Sequence, residues 1–320
     1  MKRTAITVVM LAWASAVAAQ QATTPQSQPS SQPNAGQQGT PQPGGGDGRG
    51  GGAAVTPPPQ GKRPPQAKTK PEYDAYNAAI KLAAAAPGAP VDPVALAKAA
   101  DDFATQFPDS ELRILLFKVS MHASQNANNG DLMNAAAEKV LKIDPDDPEA
   151  LVGDAEFIAE HTRDTDLDKD QRLAQAQKYA SRAVETVDTD VAIPAGTPQE
   201  KIDAYKGFVR SSAYSVLGTI AFNQEKYPDA ESYFRKSIDA LPSQPDPVVV
   251  LRLAIALDKQ NKYPEALKEA NHAVDLTQEA SVAGKLARQE RDRLTQLTGG
   301  STPAPAPKPP AGTAQNPSPH

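Results

Sequence analysis

The sequence predicts an all-α fold, an α-solenoid of paired helices with non-globular segments at both ends. Three observations predict it. Apolar residues between positions 72 and 298 recur at three- and four-residue spacing, the period of a helix, and no segment sustains alternation of β-branched residues. Pro108, Pro145, Pro148, Pro194, Pro198, Pro228, Pro242, Pro247 and Pro264 punctuate this stretch where helices must stop or start. A pentapeptide also recurs at an offset of 36 residues, Lys226-Tyr227-Pro228-Asp229-Ala230 and Lys262-Tyr263-Pro264-Glu265-Ala266. Ten or eleven helices joined by short loops are expected.

Each copy of the pentapeptide places proline in the first turn, where its missing N–H costs nothing, beside an acid that suits the positive end of the helix dipole. Residues at helical spacing follow in both copies: Ala230, Phe234 and Ser237, then Ala266, Ala270 and Ala273, all small except Phe234. One packed helix face is used twice.

The ends have other compositions. Lys2 and Arg3, an apolar run from Ala5 to Val17 and the small residues before Gln20 have the form of a secretory signal peptide over residues 1–19. The run is too short for a bilayer core, which needs roughly 20 residues. No stable membrane insertion is expected after cleavage, and the mature chain is expected to be exported, periplasmic or secreted. Residues 20–71 contain 11 prolines and 10 glycines, and residues 299–320 contain seven prolines. Both read as disordered, a linker and a tail, because such segments bury too little apolar area to offset the entropy of ordering.

Composition limits the chemistry. The 320 residues include no cysteine, so thiolate metal sites, disulfides and cysteine nucleophiles are excluded. With +2 in residues 1–19, +4 in 20–71 and +1 in 299–320, the overall −5 leaves −12 for residues 72–298. That surplus argues against a nucleic-acid partner. His122, His161, His272 and His320 form no zinc-ligand spacing, and there is neither a Gly-x-Ser-x-Gly motif nor a phosphate loop ahead of a helix. The alternating acids Asp164, Asp166, Asp168 and Asp170 begin like a calcium loop, but Lys169 stands where the turn needs glycine and Gln175 where a bidentate glutamate belongs. A solvated loop whose last aspartates cap a helix near Gln171 is expected instead. No metal, cofactor or catalytic residue is assigned.

From Ser211 to Gln244 the residues resemble the tetratricopeptide repeat, a 34-residue helix–turn–helix unit, and the chain resembles exported bacterial members of that family. Tyr214, Leu217, Gly218, Tyr227, Ala230, Phe234 and Pro242 stand at the signature spacing; Tyr263, Ala266, Ala270 and Ala273 continue it in residues 247–280. The small side chains at Gly218 and Ala230 are expected to let the two helices of one repeat approach closely. Corners resembling those between repeats occur at Phe107-Pro108-Asp109-Ser110 and from Ile143 to Leu151. The repeat opening at Pro148 carries an insertion of about nine residues. Between Asp131 and Pro145 the second helix reads as about two residues short. Four or five repeats are expected over residues 72–298, closed by a capping helix from Ser281 to Leu297 with Leu286, Leu294 and Leu297 inward.

The resemblance implies a concave face lined by the first helix of each repeat. Here it includes Glu149, Val152, Glu156, Ser212 and Val248; the partner-binding candidates are Glu156, Ser215, Thr219, Phe222, Asn223, Leu251, Ile255 and Lys259. The family's carboxylate clamp is not reproduced, since Ser215 and Thr219 occupy its places. The expected function is a non-catalytic scaffold of the cell envelope that holds a protein or peptide segment in this groove. The alternative is an accessory subunit or carbohydrate-active envelope enzyme with an acidic cleft, distinguished by paired carboxylates facing each other across a pocket.

Overall fold

The computed structural model describes residues 61–84, 91–194 and 196–299; the expected leader, the linker up to residue 60 and the tail beyond Gly299 lie outside the described residues. Eleven α-helices occur among them. They are α1 (Lys70–Ile80), α2 (Pro93–Gln106), α3 (Arg113–Asn126), α4 (Gly130–Ile143), α5 (Pro148–His161), α6 (Lys169–Thr186), α7 (Gln199–Asn223), α8 (Tyr227–Ala240), α9 (Pro247–Asp258), α10 (Tyr263–Asp275) and α11 (Val282–Leu297). The described extended structure is an isolated parallel bridge between Lys62 and Ala192. The chain divides into two compact units between Val216 and Leu217, within α7.

In the first unit, α3 packs on α4 and α5 on α6, and each pair packs on its neighbour through α2–α3 and α4–α5 contacts. In the second, α9 packs on α10, with α8 against α9 and α11 against α10. This is the all-helical, sequential packing that the periodicity predicts. Prolines sit where expected, in the first turns of α5, α8, α9 and α10. Asp92, Asp147 and Asp246 cap the helices that follow them by accepting backbone N–H bonds.

The intra-pair turns share a geometry that the signature did not reveal. Asn128, Glu225 and Asn261 are left-handed, with φ of 54°, 59° and 60°. The N–H of each following residue reaches back five positions: Asn129 to Ser124 O at 2.9 Å, Lys226 to Ala221 O at 2.9 Å, and Lys262 to Leu257 O at 3.0 Å. This is the Schellman bond pattern, which satisfies carbonyls that a helix end leaves open. Its threefold recurrence is independent evidence of repetition.

The core is built from small side chains. In the first unit Ala100, Ala137, Ala150, Ala155, Ala176, Ala180 and Ala183 are fully buried, around Tyr76, Phe103, Leu116 and Leu151. In the second, Ala230, Ala254, Ala256, Ala266, Ala270 and Ala273 surround Phe234, Leu253 and Leu257. Gly218 shows why one position admits no side chain at all. A Cβ built there would stand 2.5 Å from Cδ1 and Cε1 of the fully buried Phe234.

Several expectations need correction. Residues 61–71 were assigned to the disordered linker, but the structure seats them on the first unit. Lys62 N donates to Val191 O at 3.0 Å, and its ammonium pairs with Asp144 at 2.8 Å and with Asp190. Arg63 pairs with Glu111 at 2.8 Å, and Thr69 with Glu72 forms a capping box for α1. Gly61 adopts φ 135°, and a Cβ there would meet Val191 O at 2.2 Å. Composition registers the Pro/Gly content of this segment but not its basic residues' distant acidic partners.

The first helix of the best repeat begins at Gln199 rather than near Ser211, because Tyr205, Val209 and Ala213 continue an apolar face into the first unit's core. Helix α4 is not short: it and α8 each have 14 residues, and the missing length lies in the connection to α5. The insertion after Pro148 is divided between the loop 162–168 and an α6 of 18 residues. Helix α6 starts at Lys169, and Asp168 makes no side-chain capping bond. In the closing helix α11, Ala283, Ala287 and Leu294 face inward, while Leu286 and Leu297 are exposed.

The Gly218 contact yields a direct test. Gly218→Ala gains about 1 kcal/mol of helix propensity and meets an overpacking cost of roughly 1–3 kcal/mol, so chemical denaturation should show a net loss. In a Phe234→Leu background the same substitution should stabilise, because the ring it strikes is gone. Stabilisation by Gly218→Ala in the wild-type chain would show that the helices are not held at this distance.

Candidate functional site

In the first unit, three successive first helices converge on one buried ionic group. Helix α3 contributes Lys118 and His122, the first turn of α5 contributes Glu149 behind its capping Asp147, and the extended part of α7 contributes Tyr205. The Lys118 ammonium lies 2.9 Å from Asp147 Oδ2 and 2.7 Å from Glu149 Oε2. His122 Nε2 is 3.5 Å from the same Glu149 oxygen, and the Tyr205 hydroxyl donates to Glu149 Oε1. Asp147 uses its other oxygen to accept from Ala150 N at 3.0 Å, so one carboxylate both starts α5 and anchors α3.

Burial and pairing compete at each group. At Glu149 burial favours the neutral acid, but the charge of Lys118 and the adjacent His122 outweigh it and hold the carboxyl well below its usual range. At Asp147 burial, joined by the negative charge of Glu149, outweighs Lys118 and pushes the carboxyl up. Burial alone would lower the Lys118 ammonium; the two carboxylates raise it well above the ordinary lysine value. Burial and Glu149 likewise raise Tyr205, which stays a neutral donor.

A cleft opens beside this group. Its walls are Met121, His122 and Gln125 of α3, Met133 of α4, Glu149, Val152, Gly153 and Glu156 of α5, and Phe208, Val209 and Ser212 of α7. The room inside is about 30 Å³. That accommodates about two waters or the tip of one side chain, against roughly 300–1,000 Å³ for a pocket enclosing a small-molecule substrate.

Of the predicted face, Glu149, Val152, Glu156 and Ser212 line this cleft together. Ser215 is half-buried on α7 in the same unit. In the second unit Leu251 is corrected to a core residue, 5% exposed and packed with Val250, Ala273 and Ala287; Ile255 packs against that cluster. Phe222 packs on the other core cluster and meets Tyr227 edge-on at 5.4 Å. These side chains hold helices together. Thr219 accepts from Arg252 Nη1 at 2.8 Å, while Asn223 and Lys259 are exposed near the ends of α7 and α9.

Lys118, Tyr205 and the methionines escaped the sequence reading. The corner around Asp147 was visible, but Lys118 lies 29 residues before it and Tyr205 lies 56 after Glu149. No local pattern links them. Among the described residues no group of three His, Asp or Glu side chains is placed to hold a metal ion. In the loop of alternating acids, Lys169 Nζ sits 2.7 Å from Asp164. No described helix is long and apolar enough to cross a membrane.

Fold and site together define a helical repeat protein with a small cleft, mostly apolar in lining, beside a buried ionic group. No family model matches the chain, and no curated protein matches it. Among solved structures it is similar to the assembly chaperone of RpL4 (Acl4, residues 1–338), with 14% identity over 72% of this chain and 99% of that chain, at a TM-score of 0.36. A likeness at that level carries no functional argument, which must come from this chain's own side chains.

Another buried acid of α5, Asp154, has a measurable consequence. Burial, followed by the charge of Glu138, pushes the Asp154 carboxyl up to about 6. A folded-state value above the unfolded one means the native state binds the extra proton. Asp154 therefore costs nothing well below pH 4, destabilises progressively as pH rises from about 4 to about 6, and levels off above that at no more than about 3 kcal/mol. Asp154→Asn should match the wild type near pH 3 and exceed it in denaturant unfolding at pH 7.5. An advantage independent of pH would show that the carboxyl is not the cause.

Proposed function

We propose that the chain is an exported, non-catalytic scaffold of tetratricopeptide type, which holds a segment of a partner protein against the first-helix face of its repeats. The carrying observation is the cleft lined by α3, α4, α5 and α7, where Glu149 in its wall is tied to Lys118 of α3 and Tyr205 of α7. The Gly218–Phe234 contact and the recurring left-handed turns support the repeat assignment. The negative surplus of residues 72–298 favours a basic or neutral partner over nucleic acid.

The cleft does bring two carboxylates together, Glu149 and Glu156, which is the feature an enzyme reading requires. Its size and ionisation favour the scaffold. A general acid needs a carboxyl held protonated, whereas Glu149 is held ionised by Lys118. The room is far too small for a sugar ring and its leaving group.

Photo-cross-linkers placed at Gln125 and at Ser212 should each give a discrete adduct in an envelope fraction, and one at Lys178, exposed on second helix α6, should not. Gln125→Arg with Ser212→Arg should cut capture of the same adduct by more than about tenfold, the equivalent of 1.4 kcal/mol. Undiminished capture by a folded double variant would overturn the reading. Export has its own probe, since Trp13 is the only tryptophan and lies in the leader. Exported protein should emit from tyrosine alone, and tryptophan emission would show that the leader is retained.

A further inference from the structure

We propose that residues 61–66 are a salt-sensitive latch, which closes over three successive inter-repeat corners of the first unit and opens as one piece while the helices stay folded. The corners are the connections α2–α3, α4–α5 and α6–α7, and the strap touches each. At the first, Arg63 Nη2 and the Gln66 N–H share the Glu111 carboxylate at 2.8 and 3.1 Å. Lys62 Nζ joins the second corner to the third, pairing with Asp144 at 2.8 Å and with Asp190. Its own N–H donates to Val191 O at 3.0 Å, beside the parallel bridge to Ala192. The other end of the strap is fixed: Ala67 packs on the core, and Glu72 holds the Lys68 and Thr69 N–H groups at 2.7 and 3.2 Å.

Repeat stacking alone gives each unit contacts with its neighbours, whereas this strap links the first corner to the third. Its construction makes it separable from the helices. Pro64 and Pro65 stiffen the span and have no N–H to satisfy. Lys62 and Arg63 are exposed, so salt screens the ion pairs that hold them. Asp144 and Asp190 are in the opposite position, 16% and 12% exposed, and among the described residues Lys62 is the cation paired with either. Opening leaves two nearly buried carboxylates without their counter-charge, so the third corner loosens with the strap. The leading end is fitted to glycine: Gly61 has φ 135°, and a Cβ there would stand 2.2 Å from the backbone oxygen of Val191.

Hydrogen–deuterium exchange of the full exported chain reads the latch directly, and no partner is needed. Raising NaCl from about 0.01 M to about 1 M shortens the screening length from about 30 Å to about 3 Å. The bonded amides of Lys62 and Gln66, together with those of Thr189 and Asp190 in the third corner, should then exchange at least about threefold faster. The amides within α5 should keep their rates, which also controls for any effect of salt on the exchange chemistry. Lys62→Gln should give the same pattern at low salt, because it removes the charge that both aspartates face. Gly61→Ala should do so without touching any charge, with helicity unchanged by circular dichroism.

Unchanged exchange at Lys62 and Gln66 in high salt would show that ion pairs do not close the strap. Faster exchange there, with Thr189 and Asp190 unaffected, would show that the third corner does not depend on it. Faster exchange throughout α5 would show that the strap opens only when the whole unit unfolds. Each of these results overturns the latch, and only joint loosening of strap and third corner over an unchanged α5 supports it.

Discussion

Close approach of helix backbones is the constraint on which this structure depends. With aromatic residues at 5% of the chain, the core cannot be filled by large side chains reaching across wide gaps. It is filled by alanines that are wholly buried, and an alanine makes useful contact only where two helices come near enough to meet over a single methyl. Gly218 is the limiting case, where even the methyl is excluded because Phe234 occupies its place. The few large residues then act as wedges at fixed points: Tyr76 and Phe103 edge-on in the first unit, and Phe234 in the second.

That constraint reaches the turns. Two helices held this close must be joined within three or four residues, and the connection must reverse direction while satisfying the carbonyls it leaves open. The left-handed residue in each of the three short turns does both. Two of the three are asparagine, which tolerates that conformation; Glu225 does not share this tolerance and is held by the bonds around it. Where the loop is longer, between α5 and α6, the turn is instead organised by Asp164, Asp166 and their basic neighbours.

The ionic group in the first unit uses the same economy of space for another purpose. Burying charges is costly unless each finds a partner, and removing one partner from such a group is more damaging than replacing the group entirely. Lys118, Asp147, Glu149 and Tyr205 are therefore interdependent, and because they come from α3, α5 and α7 they fix the register of three successive first helices. Groups tied in this way across three helices keep one another in place. The inward acids that would weaken an isolated helix become the lining of the cleft.

How much of this was legible in the sequence follows from the range of each interaction. Helical period, proline punctuation, the repeated Lys-Tyr-Pro and the small residues at Gly218, Ala230, Ala266, Ala270 and Ala273 are local, within about one repeat, and their spacing alone determined an all-α chain of paired helices. The first-helix assignment of Glu149, Val152, Glu156 and Ser212 followed from that register. Which side chains of the register face a neighbour is a property of three dimensions. Phe222, Leu251 and Ile255 stand at candidate positions yet pack into cores, because an apolar side chain is drawn to whichever surface excludes water. Lys118 meets Glu149, Tyr205 meets Glu149 and Lys62 meets Asp144 across 31, 56 and 82 residues of sequence. Such pairings depend on how helices stack, and only the tertiary structure decided them, since electrostatic attraction acts on distance in space and leaves no period along the chain.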